Sequence, residues 1–66
     1  GNVKEYNWYG ELIFEVEYLN GLKNGKGKEY EYGELIFDGE YLNGLKNGKG
    51  KEFNIYDGEY NLRENT

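Results

Sequence analysis

Carboxylates are the side chains of this sequence that could do chemistry. The chain has 13 acidic residues among 66 and no His, Cys or Ser, so a histidine base, a disulfide, a cysteine nucleophile and a serine triad are excluded. Paired carboxylates about 5–10 Å apart could cleave a glycosidic bond, and clustered oxygen ligands could hold calcium. No Asp-x-Asp loop has calcium-binding spacing, and nothing in the pattern predicts a cleft. We therefore predict no catalytic residue, no metal site and no cofactor, and a protein that is not an enzyme.

Lysine is the second residue type that could recognise a ligand. Seven Lys and one Arg oppose 11 Glu and two Asp, giving a net charge of −5, so we predict no nucleic-acid partner. Several lysines recur around the longer turns and could bind a phosphoinositide or another anionic membrane surface. The alternative is that they keep the turns soluble and pair with glutamates. These lysines are Lys23, Lys26, Lys28, Lys46, Lys49 and Lys51.

The elements that must position these side chains are repeated along the chain. Residues 10–32 and 33–55 are two copies of a 23-residue unit that differ at only five positions. A partial copy covers 3–9, and a truncated copy covers 56–63. A period of this length is typical of a stacked array of one supersecondary unit. We predict a single repeat domain over 1–66 and expect it to be a fragment of a longer protein.

The repeat unit has the pattern of strands and turns. Leu35, Phe37 and Tyr41 alternate with acidic residues, and a period of two indicates a strand. The segment 43–48 contains two Asn-Gly pairs, which favour a turn because both residues tolerate positive φ. The predicted fold is all-β, a single-layer twisted antiparallel meander built from repeated β-hairpins. Its six strands lie at roughly 3–8, 12–19, 26–31, 34–43, 49–56 and 59–63.

The predicted register sorts the side chains by polarity. Pairing of Asn43 with Lys49 would place Phe37 opposite Ile55, with one face aromatic and free of acids and the other carrying eleven of the acids. The other predicted pairs are Tyr30 with Leu35, Lys28 with Phe37, Trp8 with Leu12, Tyr6 with Phe14, Ile55 with Tyr60 and Phe53 with Leu62, across turns at 32–33, 9–11 and 57–58. The acidic face would oppose Glu17 to Glu29, Glu15 to Glu31 and Glu40 to Glu52.

The aromatic face is the predicted contact surface. Ordering a residue costs about 1–2 kcal/mol, and burying a large apolar side chain returns only about 1.5–3 kcal/mol, so one layer is marginal. We expect a second copy or the remainder of a parent protein to cover this face. The alternative is that the twist of glycine-rich hairpins lets the sheet bury its own rings. The predicted contact residues are Trp8, Phe14, Tyr18, Tyr30, Phe37, Tyr41, Phe53 and Tyr60.

The second copy carries a recognisable motif. FDGEYLNG at 37–44 followed by KNGKGK at 46–51 resembles the MORN repeat (membrane occupation and recognition nexus), whose pattern is aromatic-x-Gly-x-aromatic-x-x-Gly and then Gly-x-Gly. Val16 replaces the motif glycine of the first copy. The resemblance implies hairpins laid side by side in an elongated, twisted sheet. It also implies a scaffold, protein-docking or dimerisation role, with links to phosphoinositides or membranes in some members.

Three functions remain open on this evidence. The leading prediction is a non-catalytic structural or protein-interaction module that presents its aromatic face to a second copy or to a protein partner. The first alternative is phosphoinositide or membrane-surface binding through the lysine-rich turns. A third is a designed or consensus-like repeat without biological function. No signal peptide and no apolar run of about 20 residues occurs, which favours a cytoplasmic location.

Overall fold

The structure, a computed structural model, describes residues 1–63 and is a single antiparallel sheet. Its six strands lie side by side in chain order. They are β1 (Asn2–Tyr6), β2 (Leu12–Leu19), β3 (Leu22–Glu31), β4 (Glu34–Leu42), β5 (Leu45–Asn54) and β6 (Glu59–Arg63). The molecule measures 36 × 32 × 12 Å, and its shortest dimension fits a single layer. The described residues contain no helix, and thus none long and apolar enough to cross a membrane. The predicted all-β meander is confirmed.

The first Asn-Gly pair of each repeat forms a two-residue turn. Asn43 and Gly44 have φ of 50° and 89°, as a type I′ turn requires, and Leu42 pairs with Leu45. The predicted longer turn and its pairing of Asn43 with Lys49 are wrong. A two-residue turn of this type follows the twist of the strands, so the hairpin closes at the first opportunity. The second Asn-Gly pair lies within the return strand, where the register shifts at a bulge.

The observed register changes the face on which several side chains lie. β4 and β5 pair three residues away from the predicted register, so Glu52 rather than Ile55 lies opposite Phe37. Glu29 likewise lies opposite both Phe14 and Phe37. Directly paired residues share a face. Glu29 and Glu52 therefore lie on the face that carries the rings of Phe14 and Phe37, which we call the ring face. The prediction of an acid-free aromatic face is wrong.

Three aromatic residues predicted to share a face with Phe37 lie on the opposite face. Tyr30 and Phe53 each follow a glutamate of the ring face by one position, and side chains alternate along a strand. Tyr60 pairs with Phe53, and their ring centroids are 4.6 Å apart. The rings of Phe53 and Tyr60 therefore form a small contact of their own, separate from the core.

The turn between the two full repeats has the predicted form. The two-residue turn at 32–33 and its pair of Tyr30 with Leu35 are confirmed. A register shift follows, because β4 contributes an extra residue at this point. The predicted pairing of Lys28 with Phe37 is therefore wrong by one residue.

Asparagine side chains widen the first and last turns. Oδ1 of Asn7 accepts hydrogen bonds from the backbone N–H groups of Tyr9 and Glu11, at 2.9 and 3.0 Å. Oδ1 of Asn54 accepts one from the N–H of Tyr56 at 2.8 Å. These Asx turns make both connections longer than predicted, and the predicted pairs across them are wrong. At the first turn the structure pairs Tyr6 with Leu12, in place of the predicted pairs Trp8 with Leu12 and Tyr6 with Phe14. At the last turn it pairs Phe53 with Tyr60, in place of the predicted pairs Ile55 with Tyr60 and Phe53 with Leu62.

Candidate interaction surfaces

A row of small residues crosses the ring face of the sheet. In strand order from β2 to β5 it consists of Val16, Gly27, Gly39 and Gly50. A Cβ atom on Gly39 would lie 2.6 Å from Cζ of Phe37, and one on Gly50 would lie 2.9 Å from Cε1 of the same ring. The Phe37 ring therefore lies directly on the backbone, an approach that only glycine permits.

The core of the protein lies on this row. Phe37 is 1 % exposed, and Tyr41 packs edge-on against it with ring centroids 5.6 Å apart. Val16 is fully buried beside them, and Phe14 and Tyr18 are half-buried at the border. The sheet thus buries these rings itself, which agrees with the alternative prediction that glycine-rich hairpins would cover their own rings. Phe37 and Tyr41, predicted as contact residues, are buried in a single chain and present almost no surface.

Lysine side chains cover the rings from the solvent side. Nζ of Lys46 lies 4.2 Å from the centroid of the Phe37 ring. Nζ of Lys23, its counterpart in the first repeat, lies 4.4 Å from the Phe14 centroid and 5.4 Å from the Tyr41 centroid. An ammonium group over an aromatic face is attracted by the ring quadrupole, and the aliphatic stem covers apolar surface. The ring face is therefore partly closed by side chains of the sheet itself.

The buried hydroxyl of Tyr41 has a polar partner on the same face. It donates a hydrogen bond to Oε2 of Glu29. Burial raises the pKa of Tyr41 well above its ordinary value, and the neighbouring Glu29 carboxylate raises it further. The phenol therefore stays neutral and keeps donating at physiological pH. Glu29, predicted for the opposite face, satisfies the hydroxyl that core packing would otherwise leave without a partner.

Charges of alternating sign cross the other face. Lys4 pairs with Glu15, Glu15 with Lys28, Lys28 with Asp38 and Asp38 with Lys51. Opposite charges directly across neighbouring strands contribute about 0.2–1 kcal/mol per pair. The predicted pairs of opposed glutamates are wrong, because the register that would create them does not form.

The six lysines predicted as candidates for binding an anionic membrane surface are divided among three settings. Lys23 and Lys46 lie over aromatic rings. Lys28 and Lys51 belong to the row of alternating charge. Lys26 and Lys49 are exposed near the Asn-Gly turns.

Exposed aromatic rings line one margin of the sheet. Three turns, between β1 and β2, between β3 and β4 and between β5 and β6, meet at this margin. They carry four rings that are 75–94 % exposed, together with five carboxylates and no lysine or arginine. We call this surface the aromatic margin; its residues are Trp8, Tyr9, Tyr32 and Tyr56, with Glu11, Glu31, Glu34, Asp57 and Glu59.

Exposed leucines line the opposite margin, together with four lysines of which Lys26 and Lys49 are exposed. The two Asn-Gly turns meet here, and the N–H of Gly44 in the second turn donates to the carbonyl of Lys23 beside the first, at 2.9 Å. The N-terminal ammonium lies at the same end, 3.1 Å from the carbonyl of Tyr18. Four leucines are 47–74 % exposed. We call this surface the leucine margin; its residues are Leu19, Leu22, Leu42 and Leu45, with Lys23, Lys26, Lys46 and Lys49.

The exposed surface only partly matches the predicted contact residues. Trp8 lies on the aromatic margin, and Tyr60 is exposed on the last strand. Tyr9, Tyr32 and Tyr56 are not among the predicted contact residues. Each of the three lies in a glycine-containing turn, where neither face of the sheet covers a side chain. That position was the signal available in the sequence.

The described residues offer little for metal chemistry. Within 1–63, no group of three or more carboxylates is arranged to hold a metal ion. The carboxylates of the alternating row face lysines on their neighbouring strands instead. Among the described residues, the two margins carry eight of the twelve large hydrophobic side chains that are exposed.

Comparisons with protein families, with curated proteins and with solved structures find no match to this chain. The resemblance to MORN repeats stays a prediction that rests on the motif residues at 37–51. The all-β meander itself rests on the structure.

Proposed function

We propose that the protein is a non-catalytic module for protein–protein contact, and that its contact surface is the aromatic margin. The observation that supports this most is the exposure of four large rings on three successive turns of one margin. Docking through the sheet face, which is the leading prediction from the sequence, receives less support because the central rings are buried and lysines lie over them.

The spacing of the rings suits an extended contact. Neighbouring strands lie about 4.8 Å apart, so turns two strands apart are separated by roughly 10 Å. The three turns therefore present rings over about 20 Å along the margin. Tyr and Trp are the residues that most often dominate protein contacts, because they bury a large area and lose little side-chain freedom. Contiguous exposed apolar surface on a small domain normally marks an interaction site.

The charge of the margin favours a cationic partner. Its turns contain five carboxylates without a basic residue, so their electrostatic potential is negative. Aromatic faces also attract ammonium and guanidinium groups. The chain already contains such contacts, because Lys46 lies over Phe37 and Lys23 over Phe14. A protein surface or segment with exposed lysine or arginine beside apolar side chains fits this margin.

Phosphoinositide binding through the turn lysines receives less support. Lys23 and Lys46 lie over rings, and Lys28 and Lys51 flank Asp38 in the row of alternating charge. Lys26 and Lys49 remain of the predicted cluster, and Lys26 lies opposite Glu40 on the neighbouring strand. Two lysines would contribute about 2 kcal/mol at an anionic membrane surface. We therefore do not adopt this function.

Titration with a peptide of alternating lysine and leucine tests the proposal. Trp8 is the only tryptophan, so its fluorescence should change saturably as the peptide covers the aromatic margin. A peptide with glutamate in place of lysine should leave the emission unchanged. The double variant Tyr32→Ser with Tyr56→Ser, which keeps Trp8, should bind the cationic peptide about tenfold more weakly, a loss of about 1.4 kcal/mol.

A matched variant at the other margin provides the control. Leu19→Ser with Leu45→Ser removes two exposed apolar side chains from the opposite end of the same sheet. At a concentration where the parent chain is a monomer, it should bind the cationic peptide as the parent chain does. Equal binding by the tyrosine variant and the parent would refute the assignment of the contact surface, and absence of any saturable change would refute cationic recognition.

A further inference from the structure

We propose that the aromatic margin docks onto the leucine margin of a second copy of this chain. The inference rests on the proposed function, since it names the partner of the same surface. Both surfaces belong to one sheet and lie at opposite ends of its strands. Each copy can therefore offer one surface of each kind.

The two margins have opposite charge. The turns of the aromatic margin carry five carboxylates and no basic residue. The segments 17–26 and 40–49 at the leucine margin carry four lysines against Glu17 and Glu40. Lys23 and Lys46 keep their positive charge although their ammonium groups lie over rings. Four positive charges thus outnumber two negative ones there. Complementary potentials favour this orientation and oppose contact between two like margins.

The apolar groups of the two margins also complement each other. Exposed leucines flank both Asn-Gly turns, and exposed rings occupy the three opposing turns. Packing an aliphatic side chain against an aromatic ring is favourable because it removes the apolar surface of both from water. Neither group has another described partner that covers it, as their exposure indicates.

The spacing of the turns matches. Turns on either margin are two strands apart, about 10 Å, because the meander alternates its connections between the two ends. The leucine turns are displaced by one strand, about 5 Å, from the aromatic turns. Two leucine turns therefore fit into the two gaps between three aromatic turns.

The symmetry of this contact predicts its products. The two margins are different surfaces, so the contact is heterologous and a docked pair still has one free margin of each kind. Association should therefore continue head to tail with increasing concentration rather than stop at a closed dimer. Because charge contributes, it should weaken by at least tenfold between low and high salt.

A complementation experiment by sedimentation velocity tests the proposal. Variant A carries Tyr32→Ser and Tyr56→Ser, which disable the aromatic margin. Variant B carries Leu19→Ser and Leu45→Ser, which disable the leucine margin. At low salt the parent chain should form a series of growing oligomers, and each variant alone should sediment as a monomer. A mixture of A and B should form a one-to-one dimer that grows no further, because only one intact contact remains.

A charge variant tests the same contact even if variant A or variant B fails to fold. Lys26→Glu with Lys49→Glu changes two exposed lysines of the leucine margin and should abolish association as well. Circular dichroism confirms that each variant keeps the sheet.

The outcomes separate the two proposals. A parent chain that stays monomeric at low salt and submillimolar concentration overturns self-docking, and the cationic peptide then decides whether the aromatic margin binds proteins at all. Oligomers that persist in both variants overturn the proposal too, because they would form through the sheet face or the open strand edges. Failure of A and B to dimerise together while the parent associates excludes contact between the two margins.

Discussion

Replacing Phe37 by alanine is expected to remove most of the protein's free energy of unfolding at room temperature. The ring is almost fully buried against the backbone of two glycines, the edge of Tyr41 and the stem of Lys46. Truncation of a buried phenylalanine costs about 3–5 kcal/mol. A domain of this size has a free energy of unfolding of only about 5 kcal/mol. Urea denaturation followed by circular dichroism measures the loss.

Phe14 is the matched control for this variant. It occupies the same position in the first repeat, within the same Gly-Glu-Leu-Ile-Phe segment, but it is only half-buried at the border of the core. Phe14→Ala should lower the free energy of unfolding by about half as much, because the Phe14 side chain buries less apolar area than Phe37 does. If the two variants lost equal stability, Phe37 would not be at the centre of the core.

Replacing Gly39 by valine is expected to destabilise the protein by about 2–3 kcal/mol. Its Cβ atom would lie 2.6 Å from Cζ of Phe37, 2.9 Å from Cα of Gly50 and 3.0 Å from the carbonyl oxygen of Lys49. Two of these atoms belong to the backbone of the neighbouring strand and cannot move without disturbing the sheet. The ring cannot lift away either, because Lys46 lies over it. Thermal and urea unfolding should both register the change.

The reciprocal change at the equivalent position makes the comparison specific. Val16 is the counterpart of Gly39 in the first repeat and is fully buried against Gly27 and Tyr41. Val16→Gly should also destabilise, by about 2 kcal/mol, because it removes buried methyl groups and adds backbone freedom. The same two residues exchanged in opposite directions thus both lower stability. A Gly39→Val variant more stable than the parent would show that the Phe37 ring does not lie on the glycine row.

The repeat and the alternation of residues were enough to predict the fold class. Alternation of Leu35, Phe37 and Tyr41 with polar residues identified the strands, and Tyr32-Gly33 was correctly predicted as the turn between repeats. The strand bounds at 12–19 and 59–63 also match those predicted. These features depend on local chemistry, namely strand periodicity and the tolerance of Asn and Gly for positive φ.

The faces could not be predicted because they depend on which of two equivalent turns forms. Each repeat has two Asn-Gly pairs four residues apart, and either could close the hairpin. The pairing observed brings Gly39 and Gly50 together under the Phe37 ring, which is a contact between distant parts of the chain. A register error of three residues exchanges the two faces. Phe53 was therefore predicted on the face of Phe37, where Glu52 lies instead.

The surfaces proposed for recognition were missed for a related reason. The prediction treated exposed aromatic side chains as members of a face, whereas Trp8 and Tyr56 lie in turns that Asn7 and Asn54 widen through their side chains. The lysines over the rings were also unforeseen, although each repeat places a lysine nine residues after its phenylalanine. A single layer can thus cover its own core with long charged side chains. The surfaces proposed for recognition are therefore the margins rather than the face.

Solvent accessibility of individual rings is the most direct test of this arrangement. Proton NMR with a soluble gadolinium chelate broadens the signals of exposed rings and spares buried ones. At a concentration where the chain sediments as a monomer, the ring signals of Phe37 and Tyr41 should remain sharp while those of Trp8 and Tyr56 are broadened. Equal broadening of Phe37 and Trp8 would mean that the sheet does not bury its own rings, and that its face rather than its margin is the surface awaiting a partner.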